Sequence, residues 1–140
     1  MARSAKARGR APSPAALVRA ARAARRRAYA PYSGFRVGAA VLAGGAVHAA
    51  ANVENASYGL TVCAERAAVA AAIAAGARRL EAVAVASGTA EPTPPCGMCL
   101  QTLAEFAGAD LPVLLAGSGG RRVETTLGAL LPRAVSRRFL

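Results

Sequence analysis

Residues 61–108 read TVCAERAAVAAAIAAGARRLEAVAVASGTAEPTPPCGMCLQTLAEFAG, and the order of elements in that stretch decides the fold. Cys63 to Ala75 is rich in alanine, the best helix former, and is closed by Gly76, so it reads as a helix. Leu80 to Ala86 is a short apolar run of strand length. Ser87 to Pro95 carries three prolines and reads as a loop; Gly97 to Phe106 reads as a second helix that ends before Gly108. A buried strand flanked by helices points to an α/β layer protein.

Working outward, Ser13-Pro14 supplies an N-cap and a first helical residue. Leu17, Val18, Ala21, Ala24 and Ala28 then form an apolar face, opposite Arg19, Arg22 and Arg26, in a helix expected to end near Tyr29. Pro31-Tyr32-Ser33-Gly34 is a turn. Phe35 to Leu42 and Ala46 to Val53 read as two strands of a hairpin around Gly44-Gly45. Residues 54–61 are an irregular polar loop. Downstream, Leu111 to Leu115 and Arg122 to Thr126 read as strands around a Gly117–Gly120 turn, and Leu127 to Leu131 as a helical turn. The expected fold is a single mixed β-sheet of about five strands with helices packed on its faces. Residues 1–13 are expected to be a disordered basic tail and residues 14–140 one domain.

The chain has 140 residues, 18 Lys+Arg, 7 Asp+Glu and a formal net charge of +11. Nine of the basic residues fall within residues 1–27, which hold no acid, so the rest of the chain is nearly balanced. That split argues against a nucleic-acid surface on the main body and favours a solvated tail and helix face. Apolar residues make up 54%, enough for a core, yet no run of about 18 uncharged apolar residues exists to span a membrane. No apolar leader follows the basic start, so a secretory signal is not expected.

Three cysteines, Cys63, Cys96 and Cys99, are too few and too odd in number for a disulfide framework. They read either as a redox pair plus a buried thiol, or as three thiolates on one metal. Both Cys63 and the Cys96-x-x-Cys99 pair stand where a loop enters a helix. If those helix starts lie side by side, the sulfurs converge. Three protein ligands and one open position is how catalytic zinc is held. The lone histidine, His48, falls on the hairpin, away from the helix starts, and is not expected to close the site. Helix N-termini, each worth about half a positive charge, and Arg66 would offset the thiolate charge. Glu65 lies two residues from one candidate ligand and suits a base beside the metal. A thioredoxin-like redox reading leaves Cys63, Glu65 and the polar loop unexplained.

Three His or Cys ligands, a non-ligating Glu and a P-C-x-x-C segment are the set used by zinc nucleobase deaminases. Tyr29-Ala-Pro-Tyr-Ser-Gly-Phe-Arg-Val-Gly38, Asn52-Val-Glu-Asn-Ala-Ser-Tyr58, Cys63-Ala-Glu-Arg66 and Pro95-Cys-Gly-Met-Cys99 occur in that order, and from about Ala15 to Leu131 the chain resembles small cytidine deaminases of the three-cysteine type. The resemblance implies a three-layer α/β/α fold and one zinc ion on Cys63, Cys96 and Cys99. It implies that Glu65 shuttles protons, and that Arg66 compensates thiolate charge. Phe35, Asn52, Glu54, Ala56, Tyr58 and Ala64 would bind substrate: Phe35 against the pyrimidine, Asn52 and Glu54 on the ribose, Ala56 and Tyr58 reaching in from a neighbouring subunit. Read without the resemblance, Phe35 is a core aromatic and Asn52 and Glu54 are loop caps.

The implied activity is zinc-dependent hydrolytic deamination of cytidine and deoxycytidine to uridine and deoxyuridine plus ammonia. The implied setting is pyrimidine salvage by a cytoplasmic homotetramer with shared active sites, with no membrane or nucleic-acid partner. The rivals are a blasticidin S-type aminonucleoside deaminase, a nucleic-acid cytosine deaminase, and a zinc-stabilised interaction domain closed by His48. Two positions depart from the family pattern: Leu100 stands where relatives commonly have Arg, and Val135 where they often have Phe, a change that either loosens substrate binding or is made good by Phe139.

Overall fold

The computed structural model describes residues 10–140. The first nine residues of the expected tail lie outside the described residues. Residues 10–12 carry no helix or strand, and the Oγ of Ser13 then accepts the Ala16 N–H at 3.1 Å and opens helix α1, Pro14–Arg25. Leu17, Val18 and Ala21 form its buried face.

Five strands follow: β1 Val37–Ala43, β2 Ala46–Ala51, β3 Ala82–Ser87, β4 Pro112–Ala116 and β5 Arg122–Thr126. They form one sheet in the order β2-β1-β3-β4-β5. The pairs are antiparallel except β3 with β4, which are parallel and joined through a helix. Helices α2, Ala64–Ala74, and α3, Gly97–Phe106, pack with the short α4, Leu127–Leu130, on the face opposite α1. The expected mixed five-stranded sheet between helices is what the chain forms. The three inner strands are apolar on both sides and read as continuous runs, VGAAVLA in β1 being buried throughout. Edge strand β5 alternates and keeps Arg122, Glu124 and Thr126 exposed.

Two cores result. Leu17, Val18 and Ala21 of α1 meet Ala40, Leu42, Ala84, Ala86 and Leu114 on one face. On the other, Ala68, Val69, Ala72, Leu100 and Leu103 meet Val41, Val83, Val85 and Val113. Small sheet residues let α1 approach closely, and Gly38 sets the limit. A Cβ there would sit 1.9 Å from the Ala21 carbonyl oxygen and 2.5 Å from the Arg25 nitrogen.

Some boundaries differ from expectation for a non-local reason. Helix α1 stops at Arg25, not near Tyr29, because Tyr29 pairs with the segment after β2. Its N–H donates to the Asn52 carbonyl at 3.0 Å, and its carbonyl accepts from the Glu54 N–H at 2.8 Å. Strand β2 ends at Ala51, and residues 52–54 run on as a separate extended piece. Val53 bridges Tyr29 on one side and Val62 on the other. Strand β1 begins at Val37, two residues later than expected, and Tyr58–Leu60 form a 3₁₀ turn within the polar loop.

The α1 arginines do more than face solvent. Arg22 donates to the Gly117 and Gly119 carbonyls, and the Arg25 Nε donates to the Arg36 carbonyl at 2.9 Å.

Gly38→Ala is expected to push α1 off the sheet and cost about 3 kcal/mol. Urea unfolding reads this as a lower midpoint; an unchanged midpoint contradicts the close approach.

Candidate active site

Two helix starts build the site. Cys63 is the N-cap of α2 and Cys96 the N-cap of α3; both have extended backbones, and the Cys96 sulfur lies over the first N–H groups of α3. The two sulfurs face each other across the gap between the helix starts. Cys99 lies one turn into α3 and is fully buried. The Cys63 and Cys96 sulfurs are 3.9 Å apart, those of Cys96 and Cys99 3.5 Å, and all three lie within 4.8 Å of one another. The three are free thiols. Sulfurs about 2.3 Å from a tetrahedral zinc ion lie about 3.8 Å from each other, so this donor set has the size of one face of a zinc site.

The charge balance makes the same demand. The buried Cys99 thiol donates to Glu65 Oε2 at 3.4 Å, and Glu65 is itself only 5% exposed. Burial and then the Glu65 charge push the Cys99 thiol far above its ordinary range. Burial, Cys96 and Glu65 push Cys63 up as well. Burial also acts on Cys96, but N–H groups of the α3 start and the neighbouring thiols outweigh it and hold its thiol lower. A cation bound among them would favour the thiolate forms that burial and the neighbouring carboxylate oppose. The residues present fit zinc: soft donors, tetrahedral spacing and one side left to the cavity.

That cavity, of about 260 Å³, lies against Cys63, Cys96 and Glu65. Asn52 and Glu54 line it because they are two apart on the extended piece between Tyr29 and Val62, which sends both side chains to one side. Asn52 is 8% exposed and clamps the entry to β1: its Oδ1 accepts the Val37 N–H and its Nδ2 donates to the Phe35 carbonyl. Glu54 accepts from the Tyr32 and Ser33 N–H groups and from the Ser33 hydroxyl. The Ser33 hydroxyl and these amides hold its carboxyl below the usual range, against a smaller contrary effect of desolvation.

Phe35 and Ala64 also line the cavity, so Phe35 is not part of the core. Arg66 turns to the Thr61 carbonyl at 2.9 Å, and its buried Nε has no partner among the described residues. Ala56 and Tyr58 do not reach the cavity of their own chain; Tyr58 is 77% exposed and its ring meets Tyr32 edge-on. His48 stands on β2 opposite Val41 and is not among the clustered ligands. Leu100 is buried in the α2/α3 core. Val135 and Phe139 line a different groove near the chain's end.

Sequence reasoning missed Val37, Thr61, Val85, Thr93 and Pro94 as cavity walls. Thr93 and Pro94 carried a usable signal, since they immediately precede the P-C-x-x-C segment. Val37 and Val85 did not, because they are ordinary members of the sheet core that happen to form the floor.

Elemental analysis of the purified chain is expected to give one zinc per chain, and Cys99→Ala to abolish tight binding while His48→Ala leaves it intact. Zinc lost with His48 and kept without Cys99 would contradict this donor set.

Comparison with known proteins agrees with the geometry. The family described as the cytidine and deoxycytidylate deaminase zinc-binding region matches residues 13–115. A cytidine deaminase of Halalkalibacterium halodurans is 50% identical over 119 residues, covering 84% of this chain and 90% of its own. One from Sporosarcina psychrophila is 44% identical over 125 residues, covering 89% and 92%. The crystal structure of cytidine deaminase from Burkholderia pseudomallei superposes with a TM-score of 0.84 at 48% identity, covering 88% of this chain and 99% of that one. That of Mycobacterium tuberculosis gives 0.75 at 44% identity, covering 86% and 94%. With that family model matching residues 13–115 and cytidine deaminases 44–50% identical over most of the chain, the protein belongs to the cytidine and deoxycytidylate deaminase zinc-binding family.

Proposed function

We propose that this chain hydrolyses cytidine and deoxycytidine to uridine and deoxyuridine, releasing ammonia, from a single catalytic domain over residues 14–140. One observation carries the reading: a buried carboxylate, Glu65, hydrogen-bonded to a sulfur of the three-cysteine cluster at the wall of a small cavity. About 260 Å³ sits just below the usual range of ~300–1,000 Å³ for small-molecule sites, which suits a nucleoside rather than a polynucleotide strand.

Cys63, Cys96 and Cys99 hold the zinc ion, which when bound supplies Lewis acidity that makes water a nucleophile near neutral pH. The chain's own residues do the rest. Glu65 takes a proton from the attacking water and gives it to ring N3, which makes C4 more electrophilic. The water oxygen bonds to C4. A second proton passes through Glu65 to the amino group, the C4–N bond breaks, and ammonia leaves. Water consumed and ammonia released balance the reaction.

Phe35, at the cavity wall, packs on the pyrimidine face, with Ala64 beside it. Asn52 and Glu54 take the ribose hydroxyls. Their existing bonds do not exhaust them: the Asn52 amide keeps a second donor and a second lone pair, and Glu54 keeps acceptor capacity. Because the main chain already holds both residues, little ordering remains to be done when substrate binds.

Ala56 and the exposed Tyr58 do not line their own cavity and belong, in this reading, to a neighbouring copy's site. Arg66 offsets thiolate charge. A homotetramer acting in cytoplasmic pyrimidine salvage, as the resemblance to small cytidine deaminases implies, completes the proposal.

Cytidine conversion followed by absorbance, with ammonia released one for one, tests the function. Glu65→Gln is expected to keep zinc and fold while kcat falls about 10²–10⁴-fold. Turnover close to that of the wild type would refute the role of Glu65. Faster turnover of blasticidin S, or of cytosine in single-stranded DNA, would refute the substrate.

A further inference from the structure

The loop between β3 and α3 forms the cavity wall next to Cys96, through Thr93 and Pro94. Its backbone has little to hold it. Pro92, Pro94 and Pro95 have no N–H, so Thr93 is the one residue of that run able to donate from the main chain. Side-chain hydroxyls take over instead. Ser87, at the end of β3, is 3% exposed and lies 2.8 Å from the Thr89 hydroxyl. The Thr89 Oγ1 is 2.5 Å from the Glu91 carbonyl oxygen and 2.8 Å from the Thr93 hydroxyl.

The direction of these bonds follows from proton counting. A carbonyl can only accept, so the single Thr89 proton goes to Glu91. Thr89 must then accept from both Ser87 and Thr93, which fills its two lone pairs. Thr93 has its own proton committed inward and offers the cavity no donor. The Thr89 main chain is anchored too. Its carbonyl accepts the Ser118 N–H at 2.8 Å, and the β4–β5 turn comes so near that a Cβ on Gly117 would lie 2.5 Å from that oxygen. Glu91 is further tied to Arg121 at 3.1 Å.

We propose that Thr89 is a positioning residue: its hydroxyl fixes Thr93, so that the cavity wall formed by Thr93 and Pro94 is set before substrate arrives. This rests on the deaminase reading. Glu65 is held by α2, and the Cys96 and Cys99 sulfurs by the first turn of α3, so the expected loss is in binding rather than in chemistry.

The test compares cytidine kinetics of Thr89→Val, which keeps the shape and removes the hydroxyl, with Thr89→Ser, which keeps the hydroxyl. Zinc content and Tm are measured alongside. Each of these hydrogen bonds is exchanged for one to water when the hydroxyl is removed, so its loss shifts the loop only modestly. The Val variant is therefore expected to show a KM raised about five- to tenfold, with kcat within about twofold of the wild type. The Ser variant is expected to stay within about twofold of the wild type in both. Should Thr89→Val not fold, Thr93→Val removes the same link from its other end and is expected to raise KM likewise. Unchanged KM in the Val variants, Val and Ser behaving alike, or a fall in kcat alone would overturn the proposal. So would a lower Tm with KM unmoved, the mark of a merely structural threonine. A wild-type chain without turnover would sink the deaminase reading, and this inference with it.

Discussion

Everything at the site depends on bringing two helix N-termini together so that three sulfurs and a carboxylate share one small volume. Such a cluster is unfavourable by itself: burial and mutual repulsion oppose charge on Cys63 and Cys99. Zinc converts that conflict into attraction, and the helix ends contribute about half a positive charge each. The cluster is thus a metal site whose donors the rest of the fold must hold in place.

The sheet provides that restraint. Helices α2 and α3 lie on the same face, packed on Val41, Val83, Val85 and Val113, which fixes their starts relative to each other. Helix α1 braces the opposite face. It approaches β1 so closely that only glycine fits at position 38, and Arg25 holds the Arg36 carbonyl between cavity residues Phe35 and Val37. The segment 52–54, wedged between Tyr29 and Val62, carries Asn52 and Glu54 to the cavity and leads the chain towards Cys63. Asn52 and Glu54 therefore belong to a run of main-chain hydrogen bonds that reaches Val62, the residue before Cys63.

What was legible in the sequence is what local spacing encodes. The Cys96-x-x-Cys99 interval, the Glu two residues after Cys63, helix α3 and strand β5 all depend on neighbours in the chain. Features set by distant partners were not legible. Tyr29 leaves α1 because residues 52–54 offer it hydrogen bonds. Arg22 and Arg25 look like a solvated stripe until the turn at Gly117 and the start of β1 are placed beside them. Thr89 and Thr93 are ordinary loop residues until the prolines around them leave the hydroxyls as the means of fastening the loop. Phe35 has the pattern of a core aromatic, and only the third dimension puts it at a cavity wall.

The central claim is that Cys63, Cys96 and Cys99 hold one zinc ion with a corner open beside Glu65. X-ray absorption at the zinc edge of the purified protein tests it most directly. The account predicts three sulfur neighbours at about 2.3 Å and a single lighter oxygen or nitrogen neighbour at about 2.0 Å. Four sulfurs, or a shell dominated by nitrogen, would contradict it.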